Sequence, residues 1–132
     1  MRALLDTHIL HRWVFDPPGL DVPQQRCINR ASKHGDLWVS EITFWEIASH
    51  VERGRLDLGG IALDEWLERA AAEPRVRRHG ITPAVAKELT GLTTTRHWDP
   101  ADRIIVATAR VLRATLITND ARIHESNLVD VV

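Results

Sequence analysis

The chain has 132 residues, 44% of them hydrophobic, with 17 basic and 18 acidic side chains for a net charge of −1, and one cysteine. That hydrophobic content supports one compact core without disulfides or a structural metal and argues against a disordered chain. Lone Cys27 excludes an internal disulfide and a cysteine-based zinc site, no apolar run is long enough to span a membrane, and the near-neutral charge excludes a generically basic nucleic-acid binder.

Ala3-Leu4-Leu5 is a short apolar run closed by Asp6, the pattern of a buried parallel strand. It is too short for a signal peptide, so a reducing, cytoplasmic setting is expected. Thr7 to Phe15 reads as a helix stopped by Pro17-Pro18-Gly19. A second helix runs from Pro23 to His34, with Gly35 as its stop. Leu37-Trp38-Val39 is the next strand, and Ser40 is expected to cap a helix from Glu41 to about Arg53, ahead of Gly54. Leu63 to Ala72 is a helix before Pro74, and Val76 to Ile81 is a weak strand. Thr82-Pro83 opens a short helix to Leu89, and Asp99-Pro100 repeats the signal for a helix to Leu112. Thr115 to Thr118 and Leu128 to Val132 complete the strands.

No repeat or linker interrupts the chain, so residues 1–132 read as one domain. Apolar strands alternating with helices predict an α/β fold, a three-layer sandwich around a parallel sheet. Ligands gather at the carboxyl ends of such strands. Asp6 follows the first strand, and Asp120 lies two residues beyond Thr118. Glu46 lies in the helix leaving the second strand, and Asp99 and Asp102 open the helix before the fourth. Converging carboxylates repel, and an all-oxygen set suits magnesium or manganese. Two such ions about 3.5–4 Å apart activate water and stabilise the leaving oxygen of a phosphodiester.

Each acid also has a plain structural reading. Asp6 and Asp99 suit helix N-caps, Asp102 the third position of a capping box, and Asn119-Asp120 a turn. Periodicity leaves Glu46 open between the site and an exposed pair with His50 one turn on. Trp13, Trp38, Trp45 and Trp98 read as packing groups.

LLDTHIL, SEITFWEIASHVERGRL, HWDPADRIIVATA and TLITNDARI together resemble the four signature segments of the PIN domain. More narrowly, they resemble those of the VapC toxins of bacterial and archaeal toxin–antitoxin pairs. The order and spacing agree over essentially the whole chain. The resemblance implies a five-stranded parallel sheet of order 3-2-1-4-5 and a Mg2+ or Mn2+ site that cleaves RNA, often tRNA or ribosomal RNA. It implies Asp6, Glu46, Asp102 and Asp120 as catalytic metal ligands, with Asp99 as a nearby acid. Thr7, Ser40, Thr118 and Asn119 fall where supporting polar residues stand in that family. Many members carry an aromatic residue where this chain has Ala101.

The resemblance also implies a VapB-like antitoxin as partner, a homodimer and a hetero-oligomer with the antitoxin. Leu63, Trp66 and Leu67 suit a groove for an antitoxin segment, or equally the core at helical spacing. Of 17 basic residues only Lys33 and Lys87 are lysine, and arginine grips phosphate in a bidentate fork. Arg53, Arg55, Arg96 and Arg103 are candidate RNA contacts, as is the cluster Arg75, Arg77 and Arg78. His8 and His97 fall near the acids.

Two other classes compete with a metal-dependent ribonuclease. One is a PIN-like module that binds RNA or a partner without turnover. The other is an acidic α/β phosphotransfer protein. A haloacid-dehalogenase-like phosphatase wants a second Asp where His8 stands, and a receiver wants a lysine near the late strand, where this chain has none.

Overall fold

The structure is a computed structural model that describes residues 1–15 and 19–132; the expected stop at Pro17-Pro18 lies outside them. Strand β1 (Ala3–Leu5) is followed by α1 (Thr7–Phe15) and α2 (Val22–Lys33), then β2 (Leu37–Ser40) and α3 (Ile42–Glu52). Next come α4 (Leu63–Ala71), β3 (Arg77–His79), α5 (Pro83–Thr90), α6 (Pro100–Leu112), β4 (Thr115–Ile117) and α7 (Ala121–Ser126). The sheet is parallel, with strand order β3-β2-β1-β4.

Alternation along the strands sends side chains into two cores. Ala3, Leu5, Leu37, Val39 and Ile117 meet Ile9, Leu10, Ile28, Ile47 and Trp66 on one face. Leu4 and Leu116 meet Val85, Ile105, Val106, Ala109 and Ile123 on the other. Burial on both faces is why the central strands are apolar without a polar alternate. Leu4, Leu5, Leu37 and Leu116 are fully buried, each contributing roughly 1.5–3 kcal/mol relative to exposure.

Helix ends follow local chemistry. Asp21 and Gln24 form a reciprocal capping box at α2, and Thr82 accepts from the Val85 N–H at α5. Gly35 and Gly54, at φ +67° and +70°, supply the left-handed residues after α2 and α3.

Two expectations are corrected, and one element is new. Ser40 is not the N-cap of α3; it ends β2, and Glu41 takes the cap position without a side-chain cap bond. Helix α7, directly after Asp120, has no counterpart among the expected elements. The sheet has four strands rather than five among the described residues, because the last segment makes only a parallel bridge, Leu116 to Val131. Its position beside β4 is the expected fifth place, but the Leu128 carbonyl is taken by Arg110 and its N–H by Ser126. Only residues 130–132 are left to pair, through three hydrogen bonds.

Candidate metal centre

The pairing register aligns Val39, Leu5 and Ile117 as neighbours across three strands. The next residues, Ser40, Asp6 and Thr118, therefore emerge side by side at the carboxyl edge. All three are buried. Thr118 Oγ1 donates to Asp6 Oδ2 at 2.6 Å, and the Thr7 N–H donates to Asp6 Oδ1 at 2.8 Å. Asp6 thus starts α1 and is held in one orientation from both sides.

Glu46 approaches from α3. Apolar neighbours turn this helix face inward, so the carboxylate is carried to the edge rather than into solvent, and its side chain is 14% exposed. Burial, reinforced by Asp102, Asp6 and Asp99, pushes its pKa up to about 7 against a hydrogen bond from Thr7. The pairing with His50 is present too, at 3.7 Å, but with Glu46 largely buried rather than as the exposed pair that was the alternative.

Asp102 comes from the first turn of α6. Burial and the charge of Asp6 raise its pKa, partly offset by Arg122. Carboxylate oxygens of Asp6, Glu46 and Asp102 all lie within 4.8 Å of one another. Asp120 and Asp99 line the same cavity, of about 440 Å³, but stand outside that close trio. Asp120 caps α7 by accepting from the Arg122 N–H. Burial would raise its pKa, but hydrogen bonds from Arg122 outweigh that and lower it. Asp99 occupies the N-cap position of α6 without making a side-chain cap bond, so capping does not account for its carboxylate.

The supporting polar residues divide. Thr7 pairs with Thr43 beside the cavity, and Thr118 bridges Asp6 and the Asp120 N–H. Asn119 turns its side chain to Gln24 on α2, and its N–H donates to His8 Nε2. Ser40 accepts from the Ile42 N–H and does not line the cavity. Ala101 is buried at the start of α6.

Of the arginine candidates, Arg53, Arg55 and Arg96 are exposed away from the cavity lining. Arg103 instead faces inward, donating to Thr95 and the Leu89 carbonyl. Arg75 and Arg77 stack over Trp13 and Trp38. Trp66 is core, which favours the packing reading of α4, whereas Trp45 is 57% exposed and is not the packing group expected.

Sequence reasoning missed part of the cavity wall. His11 and Arg12, on the α1 turn after His8, line the cavity with His50 and Leu56, while His97 lies outside it. It also missed Arg122, which pairs with Asp102 at 2.9 Å and Asp120 at 3.0 Å. The only signal was a cation two residues past a strand-end acid. His8 accepts a backbone N–H through Nε2, which leaves its proton on Nδ1, 3.6 Å from Asp6. Burial lowers its pKa, against the pull of Asp6.

Three buried or half-buried carboxylates with only oxygen donors and no lysine or arginine on Asp6 or Glu46 among the described residues suit a hard divalent cation. The Glu46 pKa is raised mainly by burial and further by Asp102, Asp6 and Asp99, and a bound cation would offset both effects.

A family model of the PIN domain matches residues 3–127. The chain belongs to the PIN domain family. It is 36% identical over 122 residues to Ribonuclease VapC22 of Mycobacterium tuberculosis, covering 92% of this chain and 89% of that one. Its fold is similar to that in VapBC2 of Rickettsia felis bound to a promoter DNA fragment, with a TM-score of 0.73, 16% identity, and 100% and 98% of the two chains covered. It is also similar to that in VapBC-1 of nontypeable Haemophilus influenzae, at TM-score 0.66 and 18% identity over 100% and 97%. At those identities the likeness is one of fold. No helix among the described residues is long and apolar enough to cross a membrane.

Proposed function

We propose that this PIN domain, read as one unit over residues 1–132, is a metal-dependent endoribonuclease that acts as the toxin of a toxin–antitoxin pair. The observation that carries the reading is the approach of Asp6, Glu46 and Asp102 to within 4.8 Å from three separate elements. These residues hold Mg2+ or Mn2+, with Asp120 completing the edge and Asp99 on its rim. The bound ion supplies activation of water and neutralisation of charge at the phosphodiester.

The protein's own residues orient the acids and receive the RNA. Thr118 and the Thr7 N–H fix Asp6. His8, His11 and Arg12 present donors in the cavity that the acids line, where they meet a phosphate backbone. Exposed Arg53, Arg55 and Arg96 extend that contact to flanking nucleotides. The name of the VapC22 relative supports RNA as substrate, and the two VapBC complexes support a VapB-like antitoxin as partner. The same reading extends to tRNA or ribosomal RNA as the target, a homodimer, and a cytoplasmic setting.

The test incubates partner-free protein with total cellular RNA plus Mn2+ or Mg2+, then with EDTA, beside Asp102→Asn. Discrete fragments that require both the ion and Asp102 are expected. Saturable RNA binding without fragments would replace the enzyme by a non-catalytic module.

A further inference from the structure

Arg122 is the second residue of α7, and its guanidinium reaches back over the acidic edge. Its Nη2 lies 2.9 Å from Asp102 Oδ2 and 3.0 Å from Asp120 Oδ2. Its Nε lies 3.4 Å from Asp120 Oδ1, and the guanidinium carbon is 5.3 Å from the centre of the Trp98 ring. A single nitrogen therefore bridges carboxylates from two segments 18 positions apart in the sequence.

A small divalent ion shared by two aspartates occupies the same place, at roughly 2.0–2.2 Å from each oxygen. Ion and nitrogen exclude one another by size and by charge. Stacking on Trp98 steadies the guanidinium, which stays charged at any working pH. The other half of the edge is different. Asp6 and Glu46 face threonines, a backbone N–H and the two histidines His8 and His50, with no permanent cation bound to them among the described residues. The acidic edge is thus half neutralised by the chain itself and half left for an ion.

We infer that Arg122 is a built-in cation that takes the place of a second divalent ion between Asp102 and Asp120, limiting this centre to one ion on Asp6, Glu46 and Asp102. The inference rests on the metal-dependent reading above and adds what sets the ion count. Asp102 belongs to both halves, because a carboxylate has two oxygens to offer. Arg122 is a positioning residue: it holds Asp120 and Asp102 in place while occupying the space between them.

The test counts bound Mn2+ by calorimetry and by loss of the free-ion EPR signal, on the full chain. Wild type is expected to bind one ion. Arg122→Gln is expected to bind two, and Asp120→Asn combined with Arg122→Gln to return to one. Arg122→Met keeps apolar contact with Trp98 and should match Arg122→Gln, which separates the lost charge from altered packing. Thermal melts verify that each variant folds. Two ions on wild type, or one on both Arg122 variants, overturns the inference and leaves the metal centre standing. No ion on wild type overturns the metal centre and the inference together.

Discussion

Thr118 and Asp6 lie 112 positions apart in the sequence and share a buried 2.6 Å hydrogen bond, donated by the threonine hydroxyl to the carboxylate. The same hydroxyl accepts the Asp120 N–H at 3.0 Å, so one side chain links β1, β4 and α7 at the edge. Thr118→Val keeps the shape and removes both bonds. It should destabilise the fold by about 1.5–3 kcal/mol, as expected for a lost bond to a charged group, and weaken Mn2+ binding by about 10- to 100-fold, the usual cost of freeing a ligand from its support. A melt and a metal titration check the two effects. Unchanged affinity would mean that Asp6 is not a ligand.

The raised pKa of Glu46 makes stability depend on pH in a direction opposite to that of a salt-bridged acid. Below about 4.5, its ordinary value, the group is protonated in both the folded and the unfolded chain. Between 4.5 and about 7 the unfolded chain has lost that proton and the folded one keeps it, so rising pH favours unfolding. Above 7 the penalty is complete. In metal-free protein, Glu46→Gln should therefore melt like wild type near pH 4.5, gain on it progressively up to pH 7, then hold a constant lead. A difference in melting temperature that is flat with pH would refute the shift.

His8 should remain neutral at pH 7, with its proton on Nδ1. Nε2 accepts the Asn119 N–H, and protonating that nitrogen breaks the bond. Burial is the main cause of its lowered pKa. Proton–nitrogen correlation NMR of the imidazoles should find an Nδ1-protonated ring that titrates below 6.5, and His8→Ala should remove that signal. An Nε2-protonated ring would reverse the assignment.

The arginines should separate by experiment into structural and RNA-facing groups. Arg103→Leu removes bonds to Thr95 and the Leu89 carbonyl, so it should lower stability by roughly 1–3 kcal/mol with no change in the salt slope of RNA binding. Arg53→Ala with Arg55→Ala should leave the melt unchanged and shallow that slope by about 1 to 2 units, one for each phosphate no longer neutralised. Filter binding across a salt series reads the second effect.

Much of this was written in local sequence. Ala3-Leu4-Leu5 and Thr115-Leu116-Ile117 are apolar because both faces of those strands are covered, and Asp6 and Asp102 were marked by position at a strand end and a helix start. Other parts depend on packing that no local pattern encodes. α7 has six residues and one buried side chain, Ile123, too few for periodicity to register. The last strand lost its first residues to Arg110 and Ser126, partners from elsewhere in the chain or from the preceding turn. Glu46 was ambiguous because helical spacing gives a face but not what covers it, and that cover comes from α1 and α6. Arg122 was invisible because its role begins only when its guanidinium meets Asp102, from the first turn of α6.

Because β1 lies between β2 and β4, the strand that leads into Asp6 is enclosed only once a strand far downstream in the sequence is in place. Until Thr115–Ile117 has been translated, β1 is an open edge, and Asp6 lacks the threonine that orients it. A stalled or prematurely terminated product carries three of the four principal acids with nothing to seat the first of them. For a chain read as a destroyer of RNA, the topology acts as a timer: the acidic edge cannot be assembled until β4 has joined the sheet.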